Sequence, residues 1–303
     1  MFVEDVLIGA VRSGTAVLFA AQGEVIAERS GVINLGTEGC MLTGALAAFA
    51  TASWSGSPWL GVAAAVGVGL FMGCLHAFFV VTRRANQLAT GLAITFLALG
   101  VTAALGSDYV AKDVNPLNPV PIPLLSDVPF VGPILFDHDI LTYCGLALGP
   151  LLWLFLKYTR WGLVLRATGE SGAVAFAYGH SPSRVRYLAV MAGGALAAVG
   201  GAQLVLAYTL NWVENVTVGR GFVAVALVIF AAWNPLKATA GAFVFGGAVS
   251  LQLQLQARGV DISPFLLNMT PYILTLAILV ATSRGRAQRA PDEIRAVFGT
   301  AGA

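Results

Sequence analysis

The sequence predicts an all-α polytopic membrane protein with about nine transmembrane helices. Three observations predict this class: hydrophobic residues make up 57% of the 303 residues, charged residues make up only 11%, and the mean hydropathy is +0.80. A soluble domain usually carries about 25% charged residues, so this chain has too few charges to cover a globule in water. Soluble, disordered, collagen-like and disulfide-scaffold classes are therefore excluded.

Apolar stretches define the predicted spans, since a membrane helix needs about 17–25 such residues. We expect eight to ten spans. The first span is interrupted by Arg12, which leaves open that residues 3–11 lie at the membrane interface instead. The candidates are 10–28, 32–52, 59–82, 87–106, 139–156, 186–206, 213–233, 238–256 and 265–283.

The basic residues predict the orientation, because Lys and Arg accumulate on cytoplasmic segments. With the C-terminus inside, thirteen of them lie inside and two, Lys112 and Arg258, lie outside. We therefore expect the N-terminus outside, the C-terminus inside and an odd number of spans, which argues against a re-entrant loop at 213–233. Residues 1–303 are expected to form a single transmembrane domain.

Three segments outside the spans differ in composition. Residues 107–138 are external, acidic and Pro-rich, which fits either a simple connector or a docking surface for an external partner. Residues 157–186 form an internal basic loop, and residues 284–303 form a basic cytoplasmic tail.

Two regions of the chain resemble each other and run in opposite directions. Residues 31–39 and 215–221 each carry an Asn and closely spaced glycines, followed by an apolar run and a Pro-bearing turn. Inverted repeats with broken helices are typical of transporters, whose substrate path lies at the repeat interface. Each break carries one charge, Glu38 or Arg220. We hypothesise that these two pair or flank the path; the alternative is that each reaches the membrane interface separately.

Motifs for catalysis are absent from the sequence. None of the three lysines lies in a Walker A motif, and the histidines make no HExxH. We therefore expect no catalytic residue, no metal site and no cofactor on this chain. Two weaker alternatives stay open: an intramembrane protease using Ser171 with His180, and a secondary transporter using Glu38.

The internal loop contains a short predicted helix over residues 171–178. Ser171 is a suitable N-cap and Gly179 a suitable C-cap. Val174, Ala175 and Tyr178 would share one face by their spacing. Such a helix can insert into a groove on a partner, or it can lie at the membrane interface.

This loop resembles the coupling loop of permease subunits from bacterial ATP-binding-cassette (ABC) importers of the branched-chain amino acid/ribose/nucleoside group. In that family the pattern is G-(E/x)-N-x-x-A-A-x-x-x-G-I. Ser171 replaces the usual Asn, Val174 the first Ala and His180 the usual Ile, which puts individual contacts in doubt. The matching residues are Gly169, Glu170, Ala175 and Gly179.

Three more stretches are similar to the nucleoside/simple-sugar subset of that family. They are GEVIAERSGVINLGTEG over 23–39, NQLATGL over 86–92 and WNPL over 233–236. The resemblance thus extends over most of the chain.

The resemblance implies an importer with two permeases, identical or paralogous, and two ABC ATPase subunits that hold ATP and Mg. An external lipoprotein or periplasmic protein would deliver the solute. Nucleosides are the first candidates, simple sugars the second and branched-chain amino acids the third; no nucleic acid is expected as a partner. The alternative function is a self-contained secondary transporter with inverted repeats.

The resemblance and the polar groups within spans supply the candidate site residues. Coupling to the ATPase is expected at Arg166, Gly169, Glu170, Ser171, Val174, Ala175, Tyr178 and Gly179. The translocation path is expected at Asn34, Thr37, Glu38, Gln87, Thr90, Thr95, Asn215, Thr217 and Arg220. The alternative for the path residues is that they bond neighbouring helices in the lipid.

Overall fold

In the computed structural model, residues 2–259, 266, 269–273, 277 and 290–299 are described, and every regular element among them is a helix. Helices α3 and α9 each continue into a wider π turn, over Phe78–Thr82 and Leu204–Tyr208. The helices are α1 Phe2–Arg29, α2 Thr37–Ser55, α3 Pro58–Ala77, α4 Gln87–Gly106, α5 Val131–Leu135, α6 Ile140–Tyr158, α7 Arg160–Glu170, α8 Gly172–Ala177, α9 Pro182–Gln203, α10 Arg220–Phe230, α11 Pro235–Ala257 and α12 Asp292–Gly299.

Within the described part of the chain, five helices are long and apolar enough to cross a membrane. Each agrees within a few residues with one predicted span, which confirms those five predictions. Flanking residues explain the boundaries: Pro58, Pro182 and Pro235 stand at first helical positions, where the missing N–H costs nothing. The five are Pro58–Thr82, Gln87–Tyr109, Ile140–Tyr158, Pro182–Tyr208 and Pro235–Ala257.

The first two predicted spans differ from the observed helices. Helix α1 is continuous over 28 residues from Phe2, so residues 3–11 extend the first helix rather than forming a separate interfacial segment. The predicted span 32–52 begins only at Thr37, because residues 30–36 leave the helical conformation. Gly31, with a φ of +91°, makes the turn in which the chain leaves α1.

The predicted span 213–233 is wrong in extent, because only Arg220–Phe230 is helical there. Eleven residues rise by about 16 Å at 1.5 Å per residue, roughly half of a 30 Å hydrocarbon core. Asn215, Val218 and Gly219 have φ values of 55°, 47° and 78°, a left-handed backbone that cannot continue a helix. The segment is therefore a broken helix. The predicted span 265–283 lies largely outside the described residues.

Small residues let α1 pack closely against α9. Gly23 of α1 faces Gly193 of α9, and a Cβ added to Gly23 would lie 2.5 Å from the Gly193 carbonyl oxygen. Farther along, a Cβ on Gly200 would lie 2.4 Å from the Ala16 carbonyl oxygen. The contacting residue numbers fall along α1, from 23 to 16, as they rise along α9, from 193 to 200, so the two helices are antiparallel. Close backbone approach is the usual means of packing helices in lipid.

The contacts define two ends of the bundle. At one end, the turn after α1 meets α7 and α12: a Cβ on Gly31 would lie 2.9 Å from Glu293 Cβ and 3.4 Å from Gly169 Cα. We call this the α7–α8 end. At the opposite end, the guanidinium of Arg258 after α11 lies 4.3 Å from the ring centre of Phe2.

The Pro-rich segment 107–138 lies at the opposite end and has no regular structure over 112–122, where prolines are frequent, followed by turns and the short helix α5. Val120 N donates to the His138 carbonyl at 2.9 Å, and Ile122 N donates to the Phe136 carbonyl at 3.0 Å. Burial lowers the pKa of His138. Leu124 is 85% exposed, so the segment presents apolar surface, and its use as a docking surface stays a prediction.

Candidate functional site

The first helix break, residues 30–36, is held by a carboxylate of α1. Glu24 is only 1% exposed. Its Oε1 accepts a hydrogen bond from the backbone N–H of Asn34 at 2.7 Å, and its Oε2 accepts one from the Thr37 hydroxyl at 2.8 Å. The Asn34 side chain accepts one from Gly36 N at 2.9 Å. Because a buried polar group is costly unless it is hydrogen-bonded, these contacts make Glu24 part of the break.

Helices α3 and α4 hold the same break from the other side. The backbone N–H of Ile33 donates to Gln87 Oε1 at 2.8 Å. The Ile33 carbonyl lies 3.1 Å from the ring nitrogen Nε2 of His76. The Thr95 hydroxyl donates to the Leu35 carbonyl at 3.1 Å. The break is thus a fixed backbone turn whose polar groups have partners on three helices.

The second break, residues 209–219, meets the first at the carboxylate of Glu38. Oε1 accepts hydrogen bonds from the Thr217 hydroxyl at 2.6 Å and from Gly219 N at 2.9 Å. Oε2 accepts one from Gly221 N at 2.6 Å. These N–H groups stand at the start of α10, where free donors and the helix dipole favour a negative charge. Glu38 therefore caps the broken helix and ties it to α2.

Arg220 does not bond to Glu38 in this arrangement. Its guanidinium lies 5.8 Å from the centre of the Tyr208 ring, a cation–π distance. The Tyr272 hydroxyl donates to the neighbouring Val218 carbonyl at 2.9 Å. Glu38 and Arg220 both lie in the described part of the chain, and no ion pair joins the two side chains there. Glu38 is satisfied by backbone groups on either side of Arg220 instead.

The structure brings most of the predicted path residues together around the two breaks. Thr90 is half-buried on α4, and Asn215 is exposed. Their role in translocation stays a prediction, because each grouped residue except Arg220 makes a contact that also holds a break in place. The grouped residues are Asn34, Thr37, Glu38, Gln87, Thr95, Thr217 and Arg220.

Two further α1 residues join the site, and sequence reasoning did not single them out. Trp233 Nε1 donates to Glu28 Oε2, and the Arg29 guanidinium donates to the Trp233 carbonyl at 3.0 and 3.2 Å. Asn234 then caps α11 by accepting from Leu236 N at 3.0 Å. The sequence signal that could have identified Glu28 is its charge within a mainly apolar stretch. These contacts explain why the stretches at 23–39 and 233–236 occur together.

The loop between α6 and α9 contains the short helix that the sequence predicts. Helix α8 spans Gly172–Ala177, and the Ser171 hydroxyl accepts from Val174 N at 3.3 Å, as an N-cap does. Gly179 has a φ of +82° just beyond the helix, a conformation that favours glycine at a helix end. The predicted N-cap is confirmed, whereas the C-cap is Tyr178 and the predicted Gly179 lies one residue beyond it.

The predicted shared face of α8 is wrong in one member. Ala175 is 3% exposed and packs inward, whereas Val174 is 50% exposed and Tyr178 is 81% exposed. Phe176, which the sequence analysis passed over, is 72% exposed. This six-residue helix buries one small side chain and exposes its larger ones. The use of these exposed side chains as an interaction surface stays a prediction.

The loop touches the first break directly. A Cβ on Gly169 would lie 2.3 Å from the Arg29 carbonyl oxygen and 3.2 Å from Gly31 N, so only glycine fits without a backbone shift. Arg166, another predicted coupling residue, is half-buried near Arg29. Helix α7 thus packs directly against the backbone of the break.

Helix α12 contacts the loop that contains α8 and holds it in place. Glu293 forms an ion pair with Arg186 of α9 at 3.0 Å and accepts a hydrogen bond from Gly172 N at 3.2 Å. Asp292 N donates to Glu170 Oε2 at 3.4 Å. The predicted coupling residue Glu170 thus connects α7 to this terminal helix.

A bundle of apolar helices with two helix breaks and an exposed loop helix is the architecture of a membrane permease. Residues 6–283 match the family model described as branched-chain amino acid transport system / permease component, and the chain belongs to this family. It is the membrane-spanning transport subunit of an ABC importer rather than an enzyme.

Curated relatives match over most of their length. A guanosine ABC transporter permease of Bacillus subtilis is 33% identical over 86% of each chain. A nucleoside ABC transporter permease of Lactococcus lactis is 32% identical over 88% of each chain. A protein of Haloferax volcanii, provisionally named as a glucose ABC transporter permease, is 35% identical over 92% of this chain and 91% of its own. No solved structure matches the chain.

Proposed function

We propose that this permease imports a nucleoside, with a simple sugar as the second candidate, in a complex with two ABC ATPase subunits and a second permease. An external lipoprotein or periplasmic protein delivers the solute. The observation that carries the proposal is the contact of Gly169 with the Arg29 carbonyl, which joins the exposed loop to the first helix break.

We propose that the α7–α8 end faces the cytoplasm, so that the chain crosses the inner membrane nine times with its N-terminus outside and its C-terminus inside. The charge distribution supports this orientation. The opposite end carries Lys112 and Arg258 among the described residues. The α7–α8 end carries Arg29, Arg83, Arg84, Lys157, Arg160, Arg166, Arg184, Arg186, Lys237 and Arg295.

In the proposed mechanism, an ATPase subunit seats on Val174, Phe176 and Tyr178. ATP and Mg bind on that subunit and close the ATPase pair, which displaces α7 and α8. The movement reaches the first break through Gly169 and the second break through Glu38. ATP must favour one arrangement of the breaks over the other, since a ligand with equal affinity for both shifts nothing.

The grouped polar residues support a hydroxylated solute. Thr and Asn side chains offer neutral donors and acceptors, which suit ribose hydroxyls and base edges. The names of the Bacillus subtilis and Lactococcus lactis relatives support nucleosides as our first candidate, and that of the Haloferax volcanii relative supports sugars as the second.

The test is ATP-dependent uptake into proteoliposomes that contain the complete complex with its binding protein. We expect accumulation of labelled guanosine or uridine, competed by other nucleosides but not by glucose. Uptake of glucose alone would overturn the nucleoside proposal. Uptake that persists without ATPase subunits and collapses with an uncoupler would favour the secondary-transporter alternative.

A further inference from the structure

A cluster of cations surrounds two adjoining clefts at the α7–α8 end. One cleft has a volume of about 370 Å³ and the other about 290 Å³. They share Arg29 and Asn234. We call the two together the basic cleft. Its charged lining residues are Arg29, Lys157, Arg166, Glu170, Lys237 and Arg295.

The cleft holds more positive charge than its own carboxylate can neutralise. Arg295 is paired with Asp292, and Glu170 accepts from the backbone N–H of Asp292. Arg29 lies near enough to Arg166 for the two positive charges to oppose each other. The buried Nε of Arg166 has no hydrogen-bond partner among the described residues. Arginine side chains that line such a cleft are suited to anionic oxygen ligands.

The surroundings of the cleft are those of a membrane interface. Trp153 lines it, and Lys157 Nζ lies 4.7 Å from the Trp153 ring centre and 5.0 Å from that of Tyr158. Trp and Tyr are enriched at the depth of lipid headgroups. One turn away on α6, Leu154 is 45% exposed and Leu151 is 60% exposed, an apolar surface suited to acyl chains. The cations therefore stand where a helix surface passes from acyl chains to headgroups.

We propose that the basic cleft binds the phosphate of an anionic phospholipid headgroup, with the acyl chains along α6. Basic pockets at this depth are suited to anionic headgroups. A free phosphate shares the same chemistry, so the experiment must separate the two sources. The proposal concerns the permease chain alone, and its test requires neither ATPase nor solute.

The experiment measures lipid retention by native mass spectrometry of the purified permease in detergent, offered phosphatidylglycerol or phosphatidylcholine. We expect retention of phosphatidylglycerol, and Lys157→Gln/Lys237→Gln should weaken it at least about tenfold, since each cation near the headgroup contributes. The matched control is Arg83→Gln/Arg84→Gln, which removes two exposed cations at the same end but outside the cleft. Thermal unfolding of each variant confirms that it is folded.

Four results would overturn the proposal. Equal retention of both lipids would mean that acyl chains alone bind. An equal loss in the Arg83/Arg84 control would mean that overall charge, not the cleft, attracts the lipid. Displacement of phosphatidylglycerol by millimolar inorganic phosphate would assign the site to a soluble anion. Arg166→Gln should lower retention and Arg166→Lys should preserve it; the reverse order would also contradict the proposal.

Discussion

Glu38 and Gly221 lie 183 positions apart in the sequence, yet the Glu38 carboxylate accepts a 2.6 Å hydrogen bond from the Gly221 N–H. This bond joins the start of α2, which directly follows the first break, to the start of α10, which directly follows the second.

Replacing Glu38 with Gln should destabilise the protein. The amide places an NH₂ donor against N–H or hydroxyl donors, which leaves buried groups unsatisfied at a cost of about 1–3 kcal/mol each. Chemical denaturation in detergent would measure the free energy of unfolding. Glu214→Gln is the control, because Glu214 lies exposed in the second break, which Glu38 contacts. Equal stability of the two variants would contradict the cap assignment.

Reversing both charges should not restore transport. Glu38 accepts from backbone N–H groups, so an Arg in its place meets donors whatever stands at position 220. We expect Glu38→Arg/Arg220→Glu to take up solute no better than either single variant. Recovery of uptake in the double variant would instead establish a direct pairing of the two side chains during the transport cycle.

Adding one methyl group at Gly169 should impair coupling. The new Cβ would meet the Arg29 carbonyl oxygen at 2.3 Å, and forcing an extra carbon into tight packing costs roughly 1–3 kcal/mol. Gly169→Ala should therefore lower the amount of solute moved per ATP hydrolysed in proteoliposomes. Gly100→Ala is the matched control, since its Cβ meets nothing within 4 Å. An unchanged ratio for Gly169→Ala would remove this contact from the mechanism.

Removing the exposed aromatics of the loop should abolish ATPase binding without unfolding the permease. Phe176 and Tyr178 are 72% and 81% exposed, and exposed substitutions usually change stability by less than about 0.5 kcal/mol. We expect Phe176→Ala/Tyr178→Ala to lose co-purification of the ATPase subunit while its thermal midpoint stays constant. Phe71→Ala/Phe96→Ala, two exposed aromatics on α3 and α4, should retain the ATPase. Loss of ATPase in both double variants would argue against a specific surface.

Neutralising Glu293 should loosen α8 more than it lowers global stability. The ion pair with Arg186 is partly exposed, and such pairs contribute about 0.2–1 kcal/mol, but Glu293 also accepts from Gly172 N. Glu293→Gln should therefore speed amide hydrogen exchange across Gly172–Ala177. Arg295→Gln is the control, because Arg295 pairs with Asp292 on the same helix. Unchanged exchange in Glu293→Gln would mean that α12 does not hold the loop.

Hydropathy was sufficient for five long apolar helices and insufficient for the first two spans and the breaks. Pro58 and Pro235, expected in turns, open helices at their first positions, and Ser171 caps α8 because a hydroxyl there can reach Val174 N. The extent of α10 could not be read, because Val218 takes a left-handed backbone that its residue type disfavours. Tertiary contacts, not local preference, fix that turn.

The hydrogen-bond partners of Glu38 could not be predicted from residue types either. A charge within a span suggests a side chain of opposite sign, and Arg220 was the nearest candidate. The observed partners are mainly backbone N–H groups, which every residue but proline carries. Burial was equally hard to predict on a six-residue helix, where Ala175 faces inward and Phe176 outward.

The position of α12 against the loop that contains α8 has a practical consequence for protein engineering. An affinity tag or fluorescent reporter fused shortly beyond Gly299 would follow α12 and lie near the α8 surface on which we propose that the ATPase subunit docks. Steric interference there would mimic a coupling defect in an otherwise sound molecule. A fusion placed before Phe2, at the far end of the bundle, avoids that artefact.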